Sequence, residues 1–168
     1  MTLLEEAENE RMHLLTCLTM FEASFVTRCL VLAGQVVLTP TFILVYAIHP
    51  KTMHRFVGYL EETAVHTYIN IVKHVEMPGS NLHKSWAHLP APAIAVGYWR
   101  LPPDAAWVDA LNCMMADEAH HRDVNHTFAS MEHDDPNPFV LKHKQDAMKA
   151  WRLENNGLHA WESKDKAL

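Results

Sequence analysis

Glycine is scarce in this chain, with 5 residues among 168, and the interruptions that glycine brings to regular structure are correspondingly few. Proline gathers in a few places, so the stretches between them read as long helices. Cysteine is also sparse. Cys17, Cys29 and Cys113 are an odd number without C-x-x-C spacing, which argues against a disulfide framework and for free thiols in a reducing compartment. Cys17 and Cys29 sit among apolar residues and are expected to be buried. Positive charge is not in excess: a formal net charge of -6 leaves no electrostatic footprint for nucleic acid. No Arg-rich, acid-poor presequence or secretory signal stands before the first helix, so Met1 is expected to open almost directly onto functional sequence.

What the chain does have in quantity is apolar residues, at 49%, and histidine, at 13 residues. The length fits one domain with ample material for a core. That domain is expected to span residues 1–135. Beyond Asp134-Asp135-Pro136 the chain turns polar and charged, which predicts a weakly ordered tail over 136–168. Good helix formers run from about Thr2 to Arg28, where Leu3, Ala7, Glu10, Leu14, Cys17 and Phe21 recur at spacings of three and four and turn Glu10 towards the core. An almost uninterrupted apolar run, CLVLAGQVVLTPTFILVYAI, fills Cys29 to Ile48. A third helix begins at Pro50, a favoured first-turn residue, and reaches about Glu76 before Pro78-Gly79 stops it. Residues 78–103 hold Pro78, Pro90, Pro92, Pro102 and Pro103 and form a connector with one short helix around Ile94–Trp99. A last long helix is expected from Asp104 to about Met131.

Two Glu-x-x-His elements, Glu10-Arg-Met-His13 and Glu118-Ala-His-His121, lie inside the first and last of these helices. On a helix the i and i+3 positions share a face, so one carboxylate and one imidazole can converge on a metal, and two such helices suggest a carboxylate-bridged pair of iron ions. About one such spacing is expected by chance in a chain this rich in Glu and His, so context must carry the case. A dimetal bundle also needs lone Glu residues from further helices. Glu61 offers one, because an acidic residue within apolar periodicity is expensive for structure alone. Tyr68 lies seven residues on, nearly in phase, and could approach the metals for electron or proton transfer, although a buried tyrosine with a satisfied hydroxyl accounts for the same spacing. Glu62 and His66 pair at i, i+4 on another face. His120 points about a quarter-turn from His121, and His83, His88, His133, His143 and His159 read as surface histidines of connectors and tail.

The run from Cys29 to Ile48 is about as long as a bilayer crossing requires. A crossing would place Glu10 and Glu61 on opposite sides of the membrane, where they could not share a site. Antiparallel packing of neighbouring helices keeps them together, so the run is expected to be part core and part embedded in one leaflet, with Arg28, Lys51 and Arg55 near its ends as head-group contacts. A fully buried helix is the alternative.

The segments Asn9-Glu-Arg-Met-His-Leu14, Leu60-Glu-Glu-Thr-Ala64 and Ala116-Asp-Glu-Ala-His-His-Arg-Asp-Val-Asn-His126 resemble the signature motifs of the alternative oxidases, the cyanide-insensitive ubiquinol oxidases. His54-Arg-Phe-Val-Gly-Tyr59 and Asn125-His-Thr-Phe-Ala129 resemble the family as well, and the likeness covers about Leu3 to Val140. It implies an all-α, ferritin-like four-helix bundle on one leaflet, holding a non-haem di-iron centre that couples quinol oxidation to reduction of dioxygen to water without proton pumping. By position it makes Glu10, His13, Glu61, Glu118 and His121 iron ligands and places Tyr68 beside the iron as a catalytic residue. It further puts Asn9 and Asp117 where hydrogen bonds orient ligands, and His54, Leu60, Ala64 and Thr67 along the quinol pocket. The implied setting is the matrix side of the mitochondrial inner membrane, with a homodimer in the full-length form, or alternatively a plastid membrane.

Two departures accompany the resemblance. The family's first lone Glu, in a Leu-Glu-Thr motif on an upstream helix, has no counterpart here, so five of six implied ligands are present and the chain is expected to be part of a longer enzyme lacking its first helices. Thr63 stands where the family usually has a third Glu, which removes a carboxylate beside the pocket. An inactive, membrane-bound remnant and a ferritin-like ferroxidase are the rival readings; the second would not need the apolar run.

Overall fold

The computed structural model describes residues 2–140, 143–149 and 151. Its elements are α1 (Thr2–Met20), α2 (Phe25–Ile48), α3 (Pro50–Glu76), α4 (Asn81–Trp86), α5 (Ala93–Trp99) and α6 (Trp107–Ser130). Among the described residues the only strand-like pairing is one antiparallel bridge, Pro90 to Ala106, so the chain is all-α as the sequence predicts. Leu3–Met131 form one unit and Glu132 onward, grouped with Thr2, a second. In the second unit residues 138–140 and 143–149 are helical. The weakly ordered tail expected over 136–168 falls, at 141, 142, 150 and 152–168, outside the described residues.

The first helix stops at Met20 rather than Arg28. Ser24 takes an extended backbone and accepts a hydrogen bond on its side chain from the Thr27 amide, which opens α2 four residues before the apolar run. Helix propensity does not see this break, because only the cap chemistry distinguishes Ser24 from a helix-interior residue. The buried face of α1 also differs from the expected stripe: it is Asn9, Met12, His13 and Thr16. Leu3 and Leu14 are exposed, and the Glu10 side chain is half-exposed. Polar residues line the inner face of α1 because that face makes hydrogen bonds to the rest of the unit, so hydrophobic periodicity points the wrong way.

No residue of α2 is buried, which corrects both the part-core and the fully buried expectations. Phe25, Leu30, Val36 and Ile48 are each exposed by 64% or more, and Cys29, expected to be buried, is exposed with them. The ring contacts of α2 with α3 lie near their junction, Phe42 on Phe56 at 5.7 Å and Tyr46 on His54 at 5.5 Å between centroids. Arg55 does not point with this apolar face; it donates to His126 Nδ1 at 3.0 Å and to Ser130 Oγ at 2.8 Å on α6.

α3 packs on α6, and Gly58 permits their closest approach: a Cβ there would sit 2.7 Å from His126 Nδ1. The apolar core lies at the opposite end of this pair. It is built of Val75, Ala95, Trp107, Ala110, Leu111 and Met114, with Tyr68, Trp86 and Trp99 packed against it. The connector is pinned to the start of α6 by Ala91 N to Ala105 O and Trp107 N to Leu89 O, both 2.8 Å. It contains α4, which the sequence reading missed. His83 on that helix is not a surface residue, since its Nδ1 donates to Val75 O at 2.7 Å and satisfies a carbonyl in the last turn of α3.

Candidate metal centre

Three helices aim acidic and imidazole groups at one point. Glu10 from α1, Glu61 from α3 and Glu118 and His121 from α6 each offer a ligand atom, and these atoms all lie within 4.8 Å of one another. His13 joins them: its Nδ1 is 3.2 Å from Glu118 Oε1 and 3.7 Å from Glu10 Oε1. His121 Nδ1 mirrors it, 3.0 Å from Glu10 Oε1 and 3.7 Å from Glu118 Oε2. The carboxylates of Glu10 and Glu118 therefore both stand between two imidazoles whose rings are 6.2 Å apart. All five residues singled out as ligands from the sequence come together.

The electrostatics of this cluster are those of a site built around cations. Burial and the adjoining Glu118 carboxylate push the Glu61 carboxyl up to about 8. Burial disfavours the charged forms of both histidines, yet the carboxylates beside them prevail and raise His13 to about 9 and His121 to about 10. Burial works against the Glu118 carboxylate too, but the two imidazoles and Glu61 hold it well below the usual range. Protons thus supply the positive charge that converging carboxylates demand.

Two orphaned atoms decide whether metal fits better than protons. The Nδ1 atoms of His13 and His121 are buried beside carboxylates without being aligned on any of them as hydrogen bonds. His13 Nε2 meets Asp117 Oδ2 at 3.1 Å, and since a carboxylate only accepts, Nε2 carries a hydrogen and Nδ1 is the nitrogen that faces the cluster, free to offer its lone pair to a metal once a bound cation replaces its proton. The same Asp117 oxygen accepts from Asn9 Nδ2 at 2.7 Å and Trp99 Nε1 at 2.8 Å. These bonds keep Asp117 below the usual carboxylate range despite its burial. A metal-facing imidazole whose far nitrogen is held by a carboxylate is the usual arrangement of a ligand histidine. Hard oxygens with two imidazoles suit iron, manganese or zinc, so the residues fit a dimetal site.

A cavity of about 470 Å³ borders the cluster, lined by Leu60, Ala64, Thr67, Tyr68 and Cys17 among others, with Glu118 in its wall. Three of the four pocket residues inferred from the sequence are here. His54 is not; it donates from Nδ1 to Asn125 Oδ1 at 2.8 Å on the other side of the metal layer. Tyr68 packs towards α6, its hydroxyl 3.5 Å from Met114 Sδ, and burial pushes that hydroxyl above the ordinary tyrosine range.

Sequence reasoning did not find Glu6, Tyr98, Trp99 or Asn125. Tyr98 accepts from Asn9 Nδ2 at 3.2 Å, and Asn125 is buried between Glu6 and His54. The available signal was spacing, since Asn125 follows His121 by four residues and Glu6 precedes Glu10 by four, on the same helix faces.

A family model described as alternative oxidase matches residues 1–130. The chain is 50% identical over 141 residues to the mitochondrial alternative oxidase of Cryptococcus neoformans var. grubii, covering 83% of the chain and 34% of that protein. It is 44% identical over 171 residues to alternative oxidase 1 of Candida albicans, covering 99% of the chain and 45% of that protein. It is also 50% identical over 128 residues to a mitochondrial ubiquinol oxidase of Mangifera indica, covering 76% of the chain and 38% of that protein. The chain thus spans between a third and a half of the length of these relatives.

Proposed function

The chain belongs to the alternative oxidase family, and from that premise we propose that it carries the metal-binding core of a ubiquinol oxidase, coupling quinol oxidation to reduction of dioxygen to water without pumping protons. The observation that carries the proposal is the convergence of Glu10, Glu61, Glu118 and His121 within 4.8 Å. With His13 they would hold two iron ions, and residues 1–135 would form the functional domain. When bound, the iron pair supplies the redox chemistry with dioxygen.

The remaining work falls to the chain itself. The cavity beside Glu118 would take the quinol head, with Leu60 and Ala64 excluding water and Thr67 offering a hydroxyl at its edge. Tyr68 holds its proton at Oη at physiological pH, because burial disfavours the phenolate, and it lines the same cavity as Leu60 and Thr67. Asp117, gripped by Asn9 and Trp99, keeps His13 in the Nε2–H tautomer and presents Nδ1 to the metal. His54, set apart from this cavity by its bond to Asn125, would serve the quinol only from the opposite side. The exposed apolar α2 would rest in one leaflet, from which quinol enters, at the matrix side of the mitochondrial inner membrane or in a plastid membrane, and the full-length form would dimerise. A ferritin-like ferroxidase would share the donors but give α2 no use.

The test is bound iron together with cyanide-insensitive, quinol-dependent oxygen uptake, measured on this chain and on a chimaera that adds the remaining length of a relative. About two irons per chain are expected, as in other carboxylate bundles, with none retained in Glu118→Ala. Iron bound equally well without Glu118 would sink the ligand assignment.

A further inference from the structure

One helical turn beyond the metal layer on α1 and α6, and two turns on α3, on the side away from the cavity, three residues from three helices meet. Asn125 of α6 is 2% exposed and spends its amide fully: Nδ2 donates to Glu6 Oε1 of α1 at 2.9 Å and to the His121 carbonyl at 3.0 Å, and Oδ1 accepts from His54 Nδ1 of α3 at 2.8 Å. The orientation of the amide is forced, because a backbone carbonyl and a carboxylate both accept, so the nitrogen must face them. It follows that His54 carries a hydrogen on Nδ1. Each member is in register with a ligand: Glu6 is four residues before Glu10, Asn125 four after His121, and His54 seven before Glu61. The other Glu6 oxygen is buried without a hydrogen-bond partner, so the Asn125 bond is its carboxylate's tie to α6.

We propose that Glu6, Asn125 and His54 form a positioning clamp that sets the spacing of the ligand-bearing helices α1, α3 and α6, and that Asn125 is its hub. The proposal rests on the metal-centre reading above. Nothing in the clamp touches the reacting atoms; it acts through His121, whose carbonyl Asn125 holds, and through Glu10 and Glu61, whose helices it ties one turn and two turns away. Outer hydrogen bonds of this kind change metal affinity by about 10–100-fold when removed.

The clamp has a reciprocal test. Asn125→Asp is nearly isosteric and keeps the His54 bond, but it sets two carboxylates face to face and gives up the donor to the His121 carbonyl. Glu6→Gln with Asn125→Asp restores a donor and an acceptor with the roles exchanged. On the full chain loaded with ferrous iron, Asn125→Asp is expected to lose iron to a chelator about tenfold faster or more, with unchanged helix content by circular dichroism, and the double variant is expected to recover the part of that loss that the Glu6 contact carries, releasing iron measurably slower than the single variant. A residue serving packing alone would leave the single variant unaffected or the double unrescued, and either result overturns the proposal. A second readout needs no metal: nitrogen-15 shifts of His54 in the metal-free chain should report the Nδ1–H tautomer in the parent and a mixture in Asn125→Leu. If that signature is present and the parent binds no iron, the metal-centre reading fails and the clamp stands. If the parent shows Nε2–H, the clamp fails whatever the metal does.

Discussion

The two sides of the metal layer are built from opposite materials. On one side, α1, α6 and α3 present Glu6, Asn125 and His54, joined by hydrogen bonds across all three helices. On the other, the same three helices present Cys17, Met114 and Tyr68, part of or packed against the apolar core. Directional bonds fix positions and contribute little net stability, whereas apolar packing stabilises without specifying angles. The layer with the chemistry is thus set by one neighbour and held together by the other. The cavity beside the cluster lies on the apolar side, so whatever occupies it does not compete for space with the hydrogen bonds of the polar side.

The comparison is most severely tested from the apolar side. Met114 is fully buried, and Met114→Ala should cost about 2–5 kcal/mol in chemical denaturation while leaving iron stoichiometry unchanged in the fraction that folds. Loss of metal at unchanged stability would reverse the roles assigned to the two sides. On the polar side, Gly58→Ala drives a methyl into the His126 ring and should cost about 1–3 kcal/mol, with iron released faster as α3 is pushed from α6. An equal melting temperature would show that the crossing has slack.

The metal layer itself should respond to pH without metal. His13 and His121 have raised pKa values, so the stability they contribute is full below their ordinary value near 6.5 and is lost as pH rises through about 9 and 10. Glu61, raised to about 8, loses its contribution in the same direction between its ordinary 4.5 and that value. Asp117 and Glu118 are lowered, so their contribution is present above the ordinary carboxylate range and lost on falling through it. Metal-free protein should therefore be most stable near about pH 4–5 and decline towards pH 10, a slope that melting curves should show and bound iron should flatten. The smallest effect is expected from Tyr68→Phe. Its hydroxyl has only a thioether as partner, so stability should change by less than about 1 kcal/mol, and any larger fall in quinol oxidation than in stability would assign that hydroxyl a part in the chemistry.

Much of this was legible in the sequence for a physical reason. Side chains that converge from one helix face must repeat at three and four, so the clustered Glu10, His13, Glu118 and His121 stood out by their spacing, and Glu61 did so as a charge within apolar periodicity. The boundaries of α3 followed from Pro50 and from Pro78-Gly79. What escaped was whatever depends on partners distant in sequence. Asn125 looks like any polar helix residue until Glu6 and His54 are brought to it. The inner face of α1 was misassigned because its burial is polar, and His83 because its partner is a carbonyl, which no side-chain pattern encodes. The break at Ser24 rests on one hydroxyl.

α2 places a further condition on every experiment above. Its 24 residues leave no side chain buried, and a surface of that kind in water finds another copy of itself as readily as it finds a bilayer. Self-association stabilises whichever state it favours by mass action, so melting temperatures and iron release rates will shift with protein concentration. Dilution series, or a fixed ratio of detergent to protein, turn those readings back into properties of one chain.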